Sequence, residues 1–476
     1  MNKVKSYQTS SLSTDLHLHM EGVLKPTHIF RIWDILNLQI NNTTRYQVTE
    51  MMSGGEANLD NFIRKLSTRW FQFTIRKASL MYFLEGRTDL TSQMVYTTII
   101  KMVLDTLYQS GTRQVEMQVA MFNLIREGDM ETNPLSYHPI SAENDVDNLF
   151  RTFFSDGKNN KLYETYIPDI EQYIDYLSQT VDKHEIFCSA RKARTSTDQM
   201  DVRIKFQLRR ERSHDQAFLK NIDLENDGNI IKGLSTKGTT FMNKILKAYQ
   251  SNKLDALDIA GVEDDVKEGA TSLLDFTGFL RFAQKNGIPV TIHAGEAQPF
   301  DGKGKRRYKK NLNDMRERIY NNLATTIQYD ALRIGHAVRL FDPEIETLLE
   351  KALERGIFLE LNFTSNEFTG VADPNSHPIV RALAGDHPLF IRRPDLYDQL
   401  IRQVVICTDD PVIIRRKRAL ASEYQRIIYR LLQYQKTNPK YNWISTNFES
   451  QMKNNADRAF LPNLFTLPNI SKSHLQ

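Results

Sequence analysis

Short, continuously apolar runs recur along the chain, and stretches long enough for helices separate them. Such runs are typical of β-strands buried on both faces, as in a parallel sheet. Eight are present, at 15–19, 115–120, 202–208, 256–260, 290–293, 332–336, 357–361 and 404–408. Between them lie helix-like segments such as 272–286 (SLLDFTGFLRFAQKN), which ends at Gly287, a usual helix stop. Eight such alternations predict a (β/α)8 barrel.

The spacing between the runs is uneven, which bears on domain organisation. We expect a single catalytic barrel over 1–476, because a barrel with insertions can reach this length as one unit. The long gap after the second run predicts an inserted region at 121–200, and the last part of the chain, 415–476, predicts a C-terminal helical extension packed on the barrel. The polar stretch 126–160 could be a lid, an oligomer contact or a surface loop, and the last two readings together are favoured.

Composition narrows the class of protein. Of the 476 residues 40% are hydrophobic, so a large core can form without disulfides. The net charge of +4 is small for this length and does not indicate a dedicated nucleic-acid binder, although a homo-oligomer remains open. The two cysteines, Cys188 and Cys407, form neither a disulfide framework nor a thiolate zinc site. The polar N-terminus and the lack of a long apolar run predict a soluble, cytoplasmic protein with no membrane span.

Titratable residues stand at the C-terminal ends of the runs, where a barrel places its active site. His17 and His19 end the first run, and residues i and i+2 of a strand share a face. An isolated His-x-His is more often a pair of surface histidines. Here, however, further groups end the fifth, sixth and eighth runs: His293 in HAGE with Glu296 behind it, His336 in RIGHA, and Asp409 and Asp410 in CTDDP. Imidazoles and a carboxylate converging at one barrel mouth predict a site for a borderline cation such as zinc.

The order of these motifs resembles a known family. DLHLHMEG, DIAGVE, IHAGE, RIGHA, NFTSN and CTDDP are similar, in sequence order, to the signature motifs of the adenosine deaminases. The resemblance extends from about residue 14 to residue 462, because EYQ (423–425) and NNADRAFLP also resemble the last helices of that family. It implies a (β/α)8 amidohydrolase-type barrel with one zinc ion per chain. The H-x-E and P-C-x-x-C signature of cytidine-deaminase-type enzymes is absent from the sequence.

The resemblance also implies a role for each motif residue. The zinc ligands would be His17, His19, His293 and Asp409, the last of which also belongs to the catalytic set. Glu296 would donate a proton to purine N1, and His336 would orient the metal-bound water. The substrate would be contacted by Glu21 near the sugar, by the backbone of Gly261 and by Asp410 at N7. Zinc lowers the pKa of bound water toward about 7, and protonation of N1 makes C6 electron-poor, so the roles are chemically consistent.

Each of four residues also has a plainer interpretation. Glu296 could be a surface carboxylate at a helix start, and His336 could be a hydrogen-bonded core histidine. Asp410 could cap the helix after the eighth run, and Gly261 could serve only a tight turn.

Several positions depart from the family pattern and put the substrate in doubt. Glu21 replaces a usual aspartate, RIGHA replaces RIGHG, and Asn-Phe at the start of NFTSN replaces Cys-Pro. GDHPLFIRRPDLYDQL looks like an insertion before the eighth run. A basic loop follows HAGE and could bind a 5′-phosphate or be only a solvated surface, its candidate residues being Lys303, Lys305, Arg306 and Arg307. The RRKR run at 415–418 could support it.

The predicted function is hydrolytic deamination of an adenine 6-amino group in a small-molecule purine nucleoside or nucleotide. A related alternative is deamination of another purine or a modified base. A different class is a catalytically dead barrel that serves as a binding or scaffold subunit, for example in an anti-phage system. The intact ligand set argues against that last class, because a binding module has no use for it.

Overall fold

The computed structural model describes the barrel and the helices around it. The described residues are 14–23, 28, 31, 34–35, 92–119, 174–175, 179, 200–210, 219–223, 230–261, 263, 272–297, 312–368, 371–373, 377–411, 419–439 and 447–461. Most of the predicted inserted region at 121–200 lies outside them, as do the basic loop at 301–311 and the RRKR run at 415–418. None of the helices in these ranges is long and apolar enough to cross a membrane.

Eight parallel strands form the barrel, and they coincide with the eight apolar runs. They are β1 (Thr14–His19), β2 (Gln114–Val119), β3 (Asp201–Arg209), β6 (Ala256–Ala260), β7 (Val290–Ala294), β8 (Arg333–His336), β9 (Phe358–Leu361) and β10 (Val404–Ile406). They are hydrogen-bonded in this order. A bridge between Leu18 and Asp409 brings the first strand beside the last, with His19 N donating to Asp409 O at 2.9 Å. The predicted (β/α)8 barrel is confirmed.

Two further strands form a hairpin that the sequence pattern did not predict. Strands β4 (Leu219–Asp223) and β5 (Ile230–Leu234) pair antiparallel in a separate sheet that follows β3. The hairpin packs through β5, where Gly233 lies so close to Gly278 that a Cβ on Gly278 would fall 2.8 Å from the Gly233 carbonyl carbon. Glycine at 278 is therefore required by a close approach of two backbones.

Helices follow most of the barrel strands and cover their outer faces. The described helices are α1 (Ser92–Gln109), α2 (Thr236–Gln250), α3 (Thr277–Lys285), α4 (Leu312–Gln328), α5 (Glu346–Glu354), α6 (Phe363–Phe368), α7 (Pro378–Leu383), α8 (Pro388–Arg392), α9 (Pro394–Gln403), α10 (Ala419–Thr437) and α11 (Phe448–Ala459). The predicted helix at 272–286 begins as a 3-10 turn, Leu273–Phe276, and continues as α3 up to Gly287, whose φ of 64° is left-handed. Across the two segments, buried Leu273, Phe276, Leu280 and Ala283 recur at helical spacing, which explains the apolar pattern.

The sequence that looked like an insertion before the eighth strand forms α8 and α9. Helix α9 packs against both α5 and α8. Helix α11 lies against β1 and β10, and its Ala459 carbonyl accepts a hydrogen bond from Arg333, the first residue of β8. Helix α11 therefore covers the end of the barrel opposite the predicted site. How the whole chain divides into units stays a prediction.

Candidate metal centre and active site

Five of the predicted site residues meet inside the mouth of the barrel. They come from the ends of β1, β7 and β8 and from the residue that closes the barrel after β10: His17, His19, His293, His336 and Asp409. Ligand atoms of His17, His19 and Asp409 lie within 4.8 Å of one another, and so do those of His17, His293 and His336. The strand ends thus converge as the sequence predicts, with His17 common to both groups.

The outer nitrogens of two of these imidazoles face buried carboxylates. His17 Nδ1 lies 2.6 Å from Glu360 Oε2, and His293 Nδ1 lies 3.1 Å from Asp258 Oδ2. A carboxylate on one ring nitrogen fixes the proton there and leaves the lone pair on the other, as is usual for metal-binding histidines. His17 Nε2 is buried and has no hydrogen-bond partner.

The histidine Nε2 atoms and a carboxylate oxygen of Asp409 lie close enough together to bind one cation. His293 Nε2 and His19 Nε2 are 3.3 Å apart, and His19 Nε2 lies 3.2 Å from Asp409 Oδ1. The same oxygen is 3.7 Å from His17 Nε2. Three imidazoles and one carboxylate that face one point are a donor set that suits a borderline cation such as zinc.

Burial favours the neutral form of two of these imidazoles, those of His17 and His293. It lowers the pKa of His17 despite the adjacent Glu360, and it lowers the pKa of His293 to about 3 despite Asp258. Burial alone would raise the pKa of Glu360, but Lys205, Arg333 and His17 outweigh it and hold that pKa below its usual value. Neutral imidazoles backed by ionised carboxylates are the protonation state that a metal requires.

A buried network of charged side chains holds Glu360 in place. Arg333 Nε donates to Glu360 at 2.6 Å, and its other end pairs with Glu116. Lys205 Nζ lies 3.6 Å from Glu116 and 3.8 Å from Glu360 and donates to the Leu16 carbonyl. Two cations and two anions balance, so the network anchors the carboxylate behind His17 without leaving an unpaired buried charge.

Glu296, the predicted proton donor, lies beside His336. Their side chains approach to 3.5 Å, between His336 Nε2 and Glu296 Oε2, and 12% of the Glu296 side chain is exposed. Residue 296 follows Gly295, whose φ of 74° turns the chain over the barrel mouth. The Glu296 side chain is therefore mostly buried.

A buried ion pair between Arg210 and Glu263 contacts the backbone at both ends of the HAGE turn. Glu263 Oε2 accepts from the Glu296 backbone N at 2.9 Å, and Glu263 Oε1 accepts from Arg210 Nη1 at 2.8 Å. Arg210 Nη2 donates to the His293 carbonyl at 2.5 Å. One buried pair thereby fixes both the end of β7 and the backbone of the predicted proton donor.

The remaining predicted residues differ in how far the structure describes them. Asp410 is buried beside Gly22, where a Cβ would lie 2.7 Å from Asp410 Cα. Gly261 is half-buried at the end of β6 with a φ of 118°, which favours glycine. Glu21 lies in the 3-10 turn after β1, and its side chain is outside the described residues. Lys303, Lys305, Arg306 and Arg307 are also outside them.

The sequence analysis missed the residues that orient the predicted site. They are Asp258, Glu263, Glu360, Arg210 and the two amides beside His336, Asn362 and Asn366. Four of them lie in the DIAGVE and NFTSN motifs without a role assigned to them, and a lone acid also interrupts the buried runs ALDIA and FLEL. A charged residue inside such a run requires a buried partner.

The whole chain is similar in structure to several solved deaminases. No protein-family model and no curated protein matches the sequence. An adenine deaminase from Arthrobacter aurescens has a TM-score of 0.51 at 13% identity, covering 94% of both chains. The N6-mAMP deaminase MAPDA of Arabidopsis has a TM-score of 0.50 at 13% identity, covering 94% of this chain and 98% of its own. An ADAL–IMP complex has a TM-score of 0.50 at 14% identity, covering 94% and 97%.

The solved structures and this chain have similar overall architectures. The similarity covers 94% of this chain and 94–98% of the other chains. The chain therefore shares the barrel fold of these solved structures.

Proposed function

We propose that this protein is a zinc-dependent deaminase that hydrolyses the 6-amino group of a small-molecule adenine nucleoside or nucleotide. The observation that carries the proposal is the approach of Glu296 to His336 at 3.5 Å, beside four inward-pointing metal donors. Solved structures of similar fold are described as an adenine deaminase, an N6-mAMP deaminase and a complex with IMP, which supports a purine substrate.

The metal would be held by His17, His19, His293 and Asp409. A zinc ion there supplies Lewis acidity that brings the pKa of a coordinated water toward about 7. Distance alone does not separate His336 from this set, because its Nε2 lies 4.0 Å from Asp409 Oδ2. His336 differs in that its Nε2 also lies 3.5 Å from Oε2 of Glu296, the residue that would hold the proton for the ring. We therefore assign His336 to proton transfer.

The side chains at the mouth would divide the proton transfers of the reaction. Glu296 holds a proton against ring N1 and makes C6 electron-poor, while His336 Nε2 takes the proton of the attacking water. A C6–O bond forms, the C6–N bond breaks, and the amine leaves as ammonia with the proton that His336 took from the water. The second water proton restores the acid form of Glu296. Asp410 would accept a hydrogen bond at the N7 side of the ring, and Gly261 would offer its backbone to the purine.

We further propose that the substrate carries a 5′-phosphate. The support is the basic loop at 301–311, because Lys303, Lys305, Arg306 and Arg307 follow the strand end that carries His293. One charge-assisted contact is worth about 1.5–3 kcal/mol, enough for a preference of about tenfold or more. Glu21 acts in the opposite direction, since a carboxylate near the 5′ position repels phosphate unless the loop neutralises it.

The deciding experiment measures ammonia release from adenine, adenosine, deoxyadenosine, their 5′-phosphates and N6-methyl-AMP. Glu296→Gln is expected to lower turnover by roughly 10²–10⁴-fold with zinc retained, and His17→Ala to lose both zinc and activity. Glu344→Gln, an exposed site on the outside of the barrel, is the matched control. Full turnover by Glu296→Gln, or by protein freed of metal, contradicts the proposal. Replacing the four basic residues by serine should lower kcat/KM for the phosphates alone.

A further inference from the structure

Gln118, near the end of β2, has a buried amide group without hydrogen bonds. The residue is 0% exposed, and neither its Oε1 nor its Nε2 has a hydrogen-bond partner within the part of the chain that the structure describes. A buried amide without partners destabilises a protein, because folding removes its hydrogen bonds to water. His17 and Asp409 are also 0% exposed, so complete burial is shared by residues of the predicted site.

Gln118 faces the interior of the barrel, at the level of a predicted metal ligand. Glu116, two residues earlier, pairs with Arg333 of β8 on the opposite side of the barrel, and residues i and i+2 of a strand share a face. In the strand pairing Gln118 lies beside His19 of β1 and beside Lys205 of β3. Its side chain therefore belongs to the interior layer that contains His19.

The polar side chain next to Gln118 in this layer already has other partners. Gln207, two residues after the residue that pairs with Gln118, places its Nε2 3.3 Å from His19 Nδ1 and 3.2 Å from Asp258 Oδ2. Gln207 thus supports the predicted metal ligands. Gln118 takes no part in that support, so its amide needs a partner of another kind.

The chemistry of the amide limits what that partner can be. A carboxamide offers a donor and an acceptor side by side, so it is complementary to two adjacent groups that donate and accept. In the proposed reaction N1 and C6 of adenine face Glu296 and the metal, and N7 faces Asp410. The vicinal 2′- and 3′-hydroxyls of a ribose then remain as two adjacent groups that each donate and accept.

We propose that Gln118 binds the vicinal 2′- and 3′-hydroxyls of the substrate and selects ribose over deoxyribose. This inference rests on the proposed function, which fixes the orientation of the base. One hydroxyl donates to Oε1, and its neighbour accepts from Nε2. A deoxy sugar leaves one of these amide atoms unpaired in a buried site, and a missing hydroxyl is discriminated most strongly in such a site.

The first test measures kcat/KM for adenosine, 2′-deoxyadenosine and 3′-deoxyadenosine, as nucleosides and as 5′-phosphates. The unaltered protein should prefer the ribose form over both deoxy forms by about tenfold or more. Gln118→Met, with an unbranched apolar side chain of similar length, should lose this preference and retain zinc. The control is Gln403→Met at the end of α9, which should keep the preference. Equal constants for the three sugars in the unaltered protein, or an unchanged preference in Gln118→Met, overturn the proposal.

The second test is the thermal unfolding of the ligand-free protein, which needs no turnover. Gln118→Met and Gln118→Leu remove an unpaired buried amide and should raise Tm by about 1–3 °C. Gln403→Met removes a hydrogen bond from Nε2 to the Leu353 carbonyl, 2.7 Å long, and should lower Tm. An unchanged or lower Tm in both Gln118 variants refutes a ligand-binding role. If the unaltered protein deaminates no purine, the proposed function fails, while Tm still decides whether the amide of Gln118 is unpaired without a ligand.

Discussion

Glu423 on α10 gives the protein a pH-dependent stability that can be worked out from its surroundings. Only 1% of the residue is exposed. Its Oε2 accepts from Thr364 N, and its Oε1 is buried with no hydrogen-bond partner. Burial raises the pKa of this carboxyl to about 7, although the hydrogen bonds from Thr364 and the charge of Arg426 act to lower it. The folded protein therefore takes up a proton that the unfolded chain would still lack at the same pH.

The sign and the size of the effect follow from that difference. Above pH 7 the folded state buries a charge, and as the pH falls toward 4.5 protonation removes this cost. Between pH 8 and pH 5 the group should add about 2.5 kcal/mol to the free energy of unfolding. Glu423→Gln resembles the protonated form and cannot titrate, so this contribution should vanish in the variant.

Urea unfolding followed by circular dichroism at several pH values between 5 and 8 measures the contribution. The relevant quantity is the difference between the unaltered protein and Glu423→Gln, which should change by about 2.5 kcal/mol across that range. Asp15, whose pKa burial also raises to about 7, titrates in both proteins and cancels. The control is Glu344→Gln, an exposed site, which should parallel the unaltered protein. Parallel stability curves for the unaltered protein and Glu423→Gln would refute the reasoning.

Two further substitutions test the mouth of the barrel. Gly22→Ala places a Cβ 2.7 Å from Asp410 Cα, so the backbone must shift; we expect a stability loss of about 1–3 kcal/mol and weaker substrate binding, measured as KM. Glu263→Gln leaves Arg210 without its buried counter-charge and loosens the turn that carries Glu296; kcat should fall by about tenfold or more with zinc content unchanged.

Each of these two substitutions has a control. Gly356→Asn adds a side chain at a left-handed glycine with nothing within 4 Å of its Cβ, so KM should stay unchanged. Glu344→Gln makes the same chemical change as Glu263→Gln outside the mouth. A Gly22→Ala protein with normal KM, or a Glu263→Gln protein with normal kcat, would show that the contact does not influence the site.

The barrel could be predicted because burial on both faces leaves a simple signature. Its eight strands coincide with the eight apolar runs, since a parallel strand enclosed by helices has no polar face to interrupt the run. The hairpin of β4 and β5 was missed because its strands, LKNID and IIKGL, are short and mixed. The sequence NDGN between them is a turn signal that could have revealed it.

The candidate site could also be predicted only in part. His17, His19, His293, His336 and Asp409 could be located because strand ends meet at one barrel mouth. The groups that orient them come from elsewhere in the chain; Glu360, for example, is 343 residues from His17. Such pairings depend on register across the closed sheet, and one sequence contains no signal for the register. The basic loop lies outside the described residues, so its phosphate-binding role stays a prediction.

The geometry of the site also depends on the backbone, which composition and motifs do not reveal. His336 and Asp409 have φ values of 66° and 61°, in the left-handed region where a residue with a side chain costs about 1–3 kcal/mol. Both are fixed by hydrogen bonds across the sheet: Asp409 N donates to His17 O at 2.8 Å, and Ala337 N donates to Ala294 O at 3.1 Å. Because closure of the barrel holds both backbone conformations, the site can keep its shape while most of the surrounding sequence changes.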